Sequence, residues 1–68
     1  MKFTYREQRI EAEREVRMRK QVYPGRVLTL RMRQGEADRH LALMEAIAET
    51  LRELEKSEQI TLDIPEKP

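Results

Sequence analysis

Ala37-Asp38-Arg39-His40-Leu41-Ala42-Leu43-Met44-Glu45-Ala46-Ile47-Ala48-Glu49-Thr50-Leu51-Arg52-Glu53-Leu54 is the stretch that decides the fold. Ala37, His40, Leu41, Met44, Ile47, Ala48, Leu51 and Leu54 recur three and four positions apart, the repeat of one face of an α-helix. Arg39, Glu45, Glu49, Arg52 and Glu53 fall on the opposite side. Glu36 and Asp38 open the segment, where acids suit the positive end of the helix dipole. Fewer than three heptads is too short for a free-standing coiled coil, so this helix needs a partner to cover its apolar face. Leu41, Met44, Ile47, Leu51 and Leu54 are the expected core and dimer face.

Working back toward the N-terminus, Gly25 and Pro24 interrupt a second helical segment. Thr4 and Glu7 stand at capping-box spacing, and nothing breaks a helix from there to Val22. Glu13 with Arg17 and Glu15 with Arg19 are four apart with the acid first, the favourable order for a helical ion pair. The apolar stripe is thin: Tyr5, Ala12, Val16 and Tyr23 share a face, whereas Ile10, Met18 and Val22 project elsewhere. Pro24 after Tyr23 predicts a turn or kink there. Residues 26–33 are open between two readings. Leu28, Leu30 and Met32 alternate like a strand, while Pro24 at a first helical position would start a short helix.

Working forward, Glu58-Gln59-Ile60-Thr61-Leu62-Asp63-Ile64-Pro65 alternates apolar and polar residues, and Pro65 and Pro68 forbid helix beyond them. The expectation is an extended tail over 58–68 following a helical domain over 1–57. Within it, Gln59, Ile60, Leu62 and Ile64 resemble the hexapeptide by which bacterial replication and repair proteins dock on the DNA sliding clamp. The resemblance implies hydrogen bonds from Gln59 and apolar anchoring by Ile60, Leu62 and Ile64. Isoleucine stands at Ile60 and Ile64 where leucine is usual. A short strand paired with 27–32, or a tail folded over the second helix, is the structural alternative.

Composition bounds the rest. Sixty-eight residues form one small domain, a size at which a single core supplies little stability and oligomerisation often supplies the remainder. A homodimer is therefore expected. Charged residues make up 40% of the chain and only three side chains are aromatic, which favours a helical protein with long charged stems around an aliphatic interior. No cysteine is present, which removes disulfides, thiolate metal sites and a thiol nucleophile and points to a cytoplasmic setting. His40 is the one histidine, and the glycines are too isolated for a phosphate loop, so no enzyme, metal or cofactor is expected.

Charge is unevenly spread. Residues 1–33 hold ten Lys/Arg against four Glu, and residues 34–68 hold four against nine Asp/Glu. Antiparallel neighbours with complementary flanks explain this. A nucleic-acid face on the basic first helix, with Arg14, Arg17 and Lys20, is the alternative.

Read together, Glu13-Arg14-Glu15-Val16, Met18-Arg19, Val22-Tyr23-Pro24, Val27, Arg31-Met32, Gln34 and Ala37-Asp38-Arg39 through Leu43-Met44-Glu45-Ala46-Ile47 resemble a family of short bacteriophage and prophage proteins. The resemblance covers residues 13–50. It implies a long helix, a proline-marked turn into a short helix, and a long second helix, with no known activity. The chain departs from the family pattern at Gly25, where a larger residue is usual, and at Leu30, where a glycine often ends the short helix.

The expected architecture is thus an all-α helical hairpin dimerising into a bundle with an extended C-terminal tail. The expected function is a non-enzymatic phage-type interaction protein that binds a host or phage macromolecule. The sliding clamp leads as partner and modulation of DNA replication as outcome, with a nucleic-acid-associated protein or a structural virion component as alternatives. No run approaches the length and apolarity of a membrane span.

Overall fold

The computed structural model describes residues 2–63, with side chains described for 2–57. Two helices, α1 (Tyr5–Leu28) and α2 (Gln34–Asp63), form an antiparallel hairpin, and no strand occurs among the described residues. Of the two readings of 26–33, the strand is therefore not the one found.

α1 begins as the Thr4–Glu7 spacing predicts. Thr4 Oγ1 accepts from the Glu7 N–H at 3.0 Å, and Glu7 Oε1 accepts from the Thr4 N–H at 3.0 Å, so both halves of the capping box form. The expected break at Pro24-Gly25 does not occur: α1 runs through both residues to Leu28. Proline's fixed φ is compatible with helix, and its missing N–H deprives one carbonyl, that of exposed Lys20.

The chain reverses at 29–33 instead. Leu30 N–H donates to the Val27 carbonyl at 3.0 Å and Arg31 N–H to the Arg26 carbonyl at 2.8 Å, the paired bonds of a Schellman C-cap. Leu30 occupies the left-handed position of that motif, with φ of 62°. No separate short helix forms, because the cap follows directly on Leu28.

α2 starts at Gln34 with Arg33 before it, the Ala37 N–H donating to the Arg33 carbonyl at 2.9 Å. It continues past Ser57 through Asp63, so the extended conformation expected over 58–63 is not what the backbone adopts. No helix breaker precedes Pro65, and the β-branched Ile60 and Thr61 lower helix propensity only slightly. Residues 64–68, and the side chains of Gln59, Ile60, Leu62 and Ile64, lie outside the described set.

The helices meet along a heptad seam, with Ala37, Leu41, Met44, Ala48, Leu51 and Glu55 from α2 facing Tyr5, Arg9, Ala12, Val16, Arg19 and Tyr23 from α1. Ala12, Ala37 and Ala48 are its buried apolar residues, and Tyr5, Val16, Tyr23, Leu41, Met44 and Leu51 are half-buried. Small residues let the helices approach closely, but they leave the hairpin without a single large side chain fully buried among the described residues. The result is a rod of 62 × 17 × 17 Å. No helix among the described residues is long and apolar enough to cross a membrane.

Candidate interaction surface

The seam has two unlike flanks. Along one, charges are locked across the helices. Arg9 Nε donates to Glu55 Oε2 at 2.6 Å and Arg9 Nη2 to Glu55 Oε1 at 3.2 Å, a bidentate pair that fills a seam position with an ion pair. Arg9 Nη1 also donates to Glu13 Oε1 at 2.9 Å. Arg52 Nη1 donates to Glu13 Oε2 at 2.8 Å, and Arg52 Nη2 to Glu49 Oε2 at 2.7 Å. Five side chains thus form one chain of alternating charge. Lys20 and Glu45 add a looser contact at 3.5 Å.

These bonds tune the groups that make them. The Arg9 guanidinium holds the Glu55 carboxyl below its ordinary value, and hydrogen bonds from Arg52 and then Arg9 do the same for Glu13. Arg9 is raised by its bonds to Glu55 and Glu13, and Arg52 by those to Glu49 and Glu13. The lopsided charge of the two sequence halves is explained here: the basic helix and the acidic helix neutralise each other side by side.

Along the other flank lies an open groove with Phe3, Ala12, Met44, Ile47 and Leu51 as its apolar lining and Glu7, Gln8, Glu11 and Glu15 along its α1 side. Beside it α2 presents Leu43, Ile47 and Leu54, which are 45%, 48% and 37% exposed. Met18 and Val22 of α1 are also exposed. The apolar face expected from Leu41, Met44, Ile47, Leu51 and Leu54 therefore divides. Leu41, Met44 and Leu51 turn into the seam, whereas Ile47 and Leu54 belong to the open flank.

The proposed basic face on α1 is thinner in space than in sequence. Arg14 is drawn to Glu11, with Nη2 3.1 Å from Glu11 Oε2, and Lys20 lies against Glu45. The expected Glu15–Arg19 pair forms at 2.9 Å, but Glu13 turns to Arg9 and Arg52 rather than Arg17. Arg17 makes no ion pair among the described residues. A further group without ion pairs among the described residues is exposed at the hairpin tip, where Arg26, Arg31, Arg33 and Arg39 stand together with Leu28 and Leu30.

His40 is exposed on the apolar flank, and its carbonyl accepts from Arg19 Nη1 at 2.9 Å. Among the described residues no group of three or more His, Asp or Glu is gathered as a metal site.

Sequence reasoning missed Glu55 and its pairing with Arg9, although Glu55 continues the seam repeat 41, 44, 48, 51. It also missed Leu43, which with Ile47, Thr50 and Leu54 repeats at three and four on the neighbouring stripe. Comparison with known proteins finds no matching family model, no similar curated protein and no similar solved structure.

Proposed function

We propose that this chain is a small non-enzymatic interaction protein, a rigid helical hairpin that displays an apolar flank and a C-terminal segment to macromolecular partners. The observation that supports it most is the placement of aliphatic side chains. Alanines fill the seam while Leu43, Ile47 and Leu54 face outward along one continuous stripe, an arrangement that leaves cover to be supplied by another surface. A second copy of the chain is one such surface.

The bacterial sliding clamp is the partner suggested by Gln59, Ile60, Leu62 and Ile64. The resemblance to phage-encoded proteins implies no activity of its own but fits the same reading, because small accessory phage proteins commonly bind host machinery to redirect or block it. Docking would require the last turns of α2, over 58–63, to unwind into an extended peptide. Binding of purified clamp to the full-length chain and to Leu62→Ala, at low and high salt, tests this. Binding that survives salt and is lost in the variant is the expected outcome. A clamp that fails to bind the full-length chain overturns the assignment.

A second reading, a nucleic-acid-associated protein, is favoured by the four exposed arginines at the tip rather than by Arg14, Arg17 and Lys20. It requires duplex binding that falls steeply with salt and is weakened by Arg31→Ala with Arg33→Ala.

A further inference from the structure

The rod is polarised along its length. Residues 19–40, the hairpin tip, carry Arg19, Lys20, Arg26, Arg31, Arg33 and Arg39 against Glu36 and Asp38, net +4, whereas at the opposite end, over 2–5 and 57–63, Lys2 stands against Glu58 and Asp63, net −1. The cross-helix ion pairs cancel charge sideways, not lengthwise, so this polarity survives folding.

The apolar flank is also symmetric about the middle of the rod. α2 spans 34–63, and its exposed stripe of His40, Leu43, Ile47, Thr50, Leu54 and Ser57 is centred on the same midpoint, between Ala48 and Glu49. Turning one hairpin end over end about that point lays Leu43 against Leu54 of the other copy and Ile47 against Thr50. The full length of both rods then overlaps.

From these two features we infer that the flank is the interface of an antiparallel homodimer, in which two hairpins stack through the Leu43–Ile47–Leu54 stripe into a four-helix bundle. Opposed orientation sets the +4 tip of each copy beside the −1 end of the other, whereas parallel stacking would set the two +4 tips together. The chain exposes 5853 Å², against the roughly 4,500 Å² of a compact monomer of this mass, as an elongated hairpin with an open flank must. Knobs from Leu43 and Leu54 would pack at the shallow crossing angle usual for bundles. The inference deepens the reading of this flank as a docking face and is independent of the clamp.

The absence of cysteine makes the test clean. Leu43→Cys, Thr50→Cys and Leu54→Cys are prepared singly and treated with a short thiol–thiol crosslinker. Thr50→Cys is expected to crosslink with itself because it lies near the two-fold axis. Leu43→Cys and Leu54→Cys are each expected to stay uncrosslinked alone and to join when mixed, since like positions are separated by eleven helical residues, about 16 Å. Light scattering should give twice the monomer mass for the unmodified chain, and Ile47→Glu should weaken association at least about tenfold while retaining helical circular dichroism. Crosslinking of Leu43→Cys with itself overturns the antiparallel arrangement. A monomeric mass at 100-fold higher concentrations than the crosslinking requires overturns the dimer altogether. A monomer that still binds the clamp leaves the proposed function intact, and a dimer that does not bind it leaves this interface intact.

Discussion

Arg9 donates two hydrogen bonds to Glu55 across 46 residues of sequence, at 2.6 and 3.2 Å, in a seam otherwise closed by aliphatic side chains and alanines. The pair joins the start of α1 to the last third of α2. It sets the register of the hairpin, because sliding either helix by one turn would leave both charges facing apolar neighbours.

That pairing makes the fold acid-sensitive in a defined direction. Glu55 and Glu13 titrate below the ordinary value of 4.5 in the folded chain. Their contribution is therefore fully present above 4.5 and is lost as the pH falls through the depressed folded values beneath it. Thermal melts followed by circular dichroism should hold steady near neutrality and fall below about pH 4.5. Glu55→Gln should be less stable at neutral pH and show a shallower decline on acidification.

The same pair predicts an asymmetry between single and double replacement. Arg9→Leu leaves Glu55 facing the seam with its bidentate partner gone, and should lower the melting temperature. Arg9→Leu with Glu55→Leu should recover the loss or exceed it, because two leucines at those heptad positions pack without desolvating charge. A double variant less stable than either single one would show that the wider network through Glu13 and Arg52 sets stability.

Leu30 is held at φ of 62° with its side chain 91% exposed. Glycine adopts this geometry freely, whereas an L side chain there loses about 1 kcal/mol. Leu30→Gly is expected to stabilise the hairpin by about 0.5–1 kcal/mol, some of the gain being offset by the freer unfolded chain. Denaturant titration at fixed protein concentration measures the change.

Ala48 is 2% exposed at the middle of the seam. Ala48→Leu adds three carbons where the helices approach closely, and should destabilise by about 1–3 kcal/mol through overpacking. Ala46→Leu, on an exposed position of the same helix, is the control and should change stability by less than about 0.5 kcal/mol.

Arg33 precedes α2 with no side-chain acceptor for the helix N-terminus, while Glu36 Oε1 already accepts from the Arg33 N–H at 3.4 Å. Half of a capping box is therefore in place. Arg33→Ser supplies the other half and should add about 1 kcal/mol, readable as a higher denaturant midpoint.

Much of the hairpin follows from the amino-acid order alone. The Thr4–Glu7 spacing marks the start of α1, the apolar repeat from Ala37 to Leu54 specifies α2, and the opposite charge excess of the halves anticipates antiparallel neighbours. These are local or compositional signals, and local signals survive folding when nothing distant opposes them. Only the tertiary structure decided the rest. Pro24 reads as a break, yet packing on both sides of Tyr23 and Val27 carries α1 past it, and the reversal falls at Leu30 where a Schellman cap closes. Which apolar residues are covered depends on rotation of one helix against the other, a few tens of degrees that send Leu51 inward and Leu54 outward. No one-dimensional pattern contains that rotation, because it is set by where the small alanines permit close approach and where Arg9 finds Glu55.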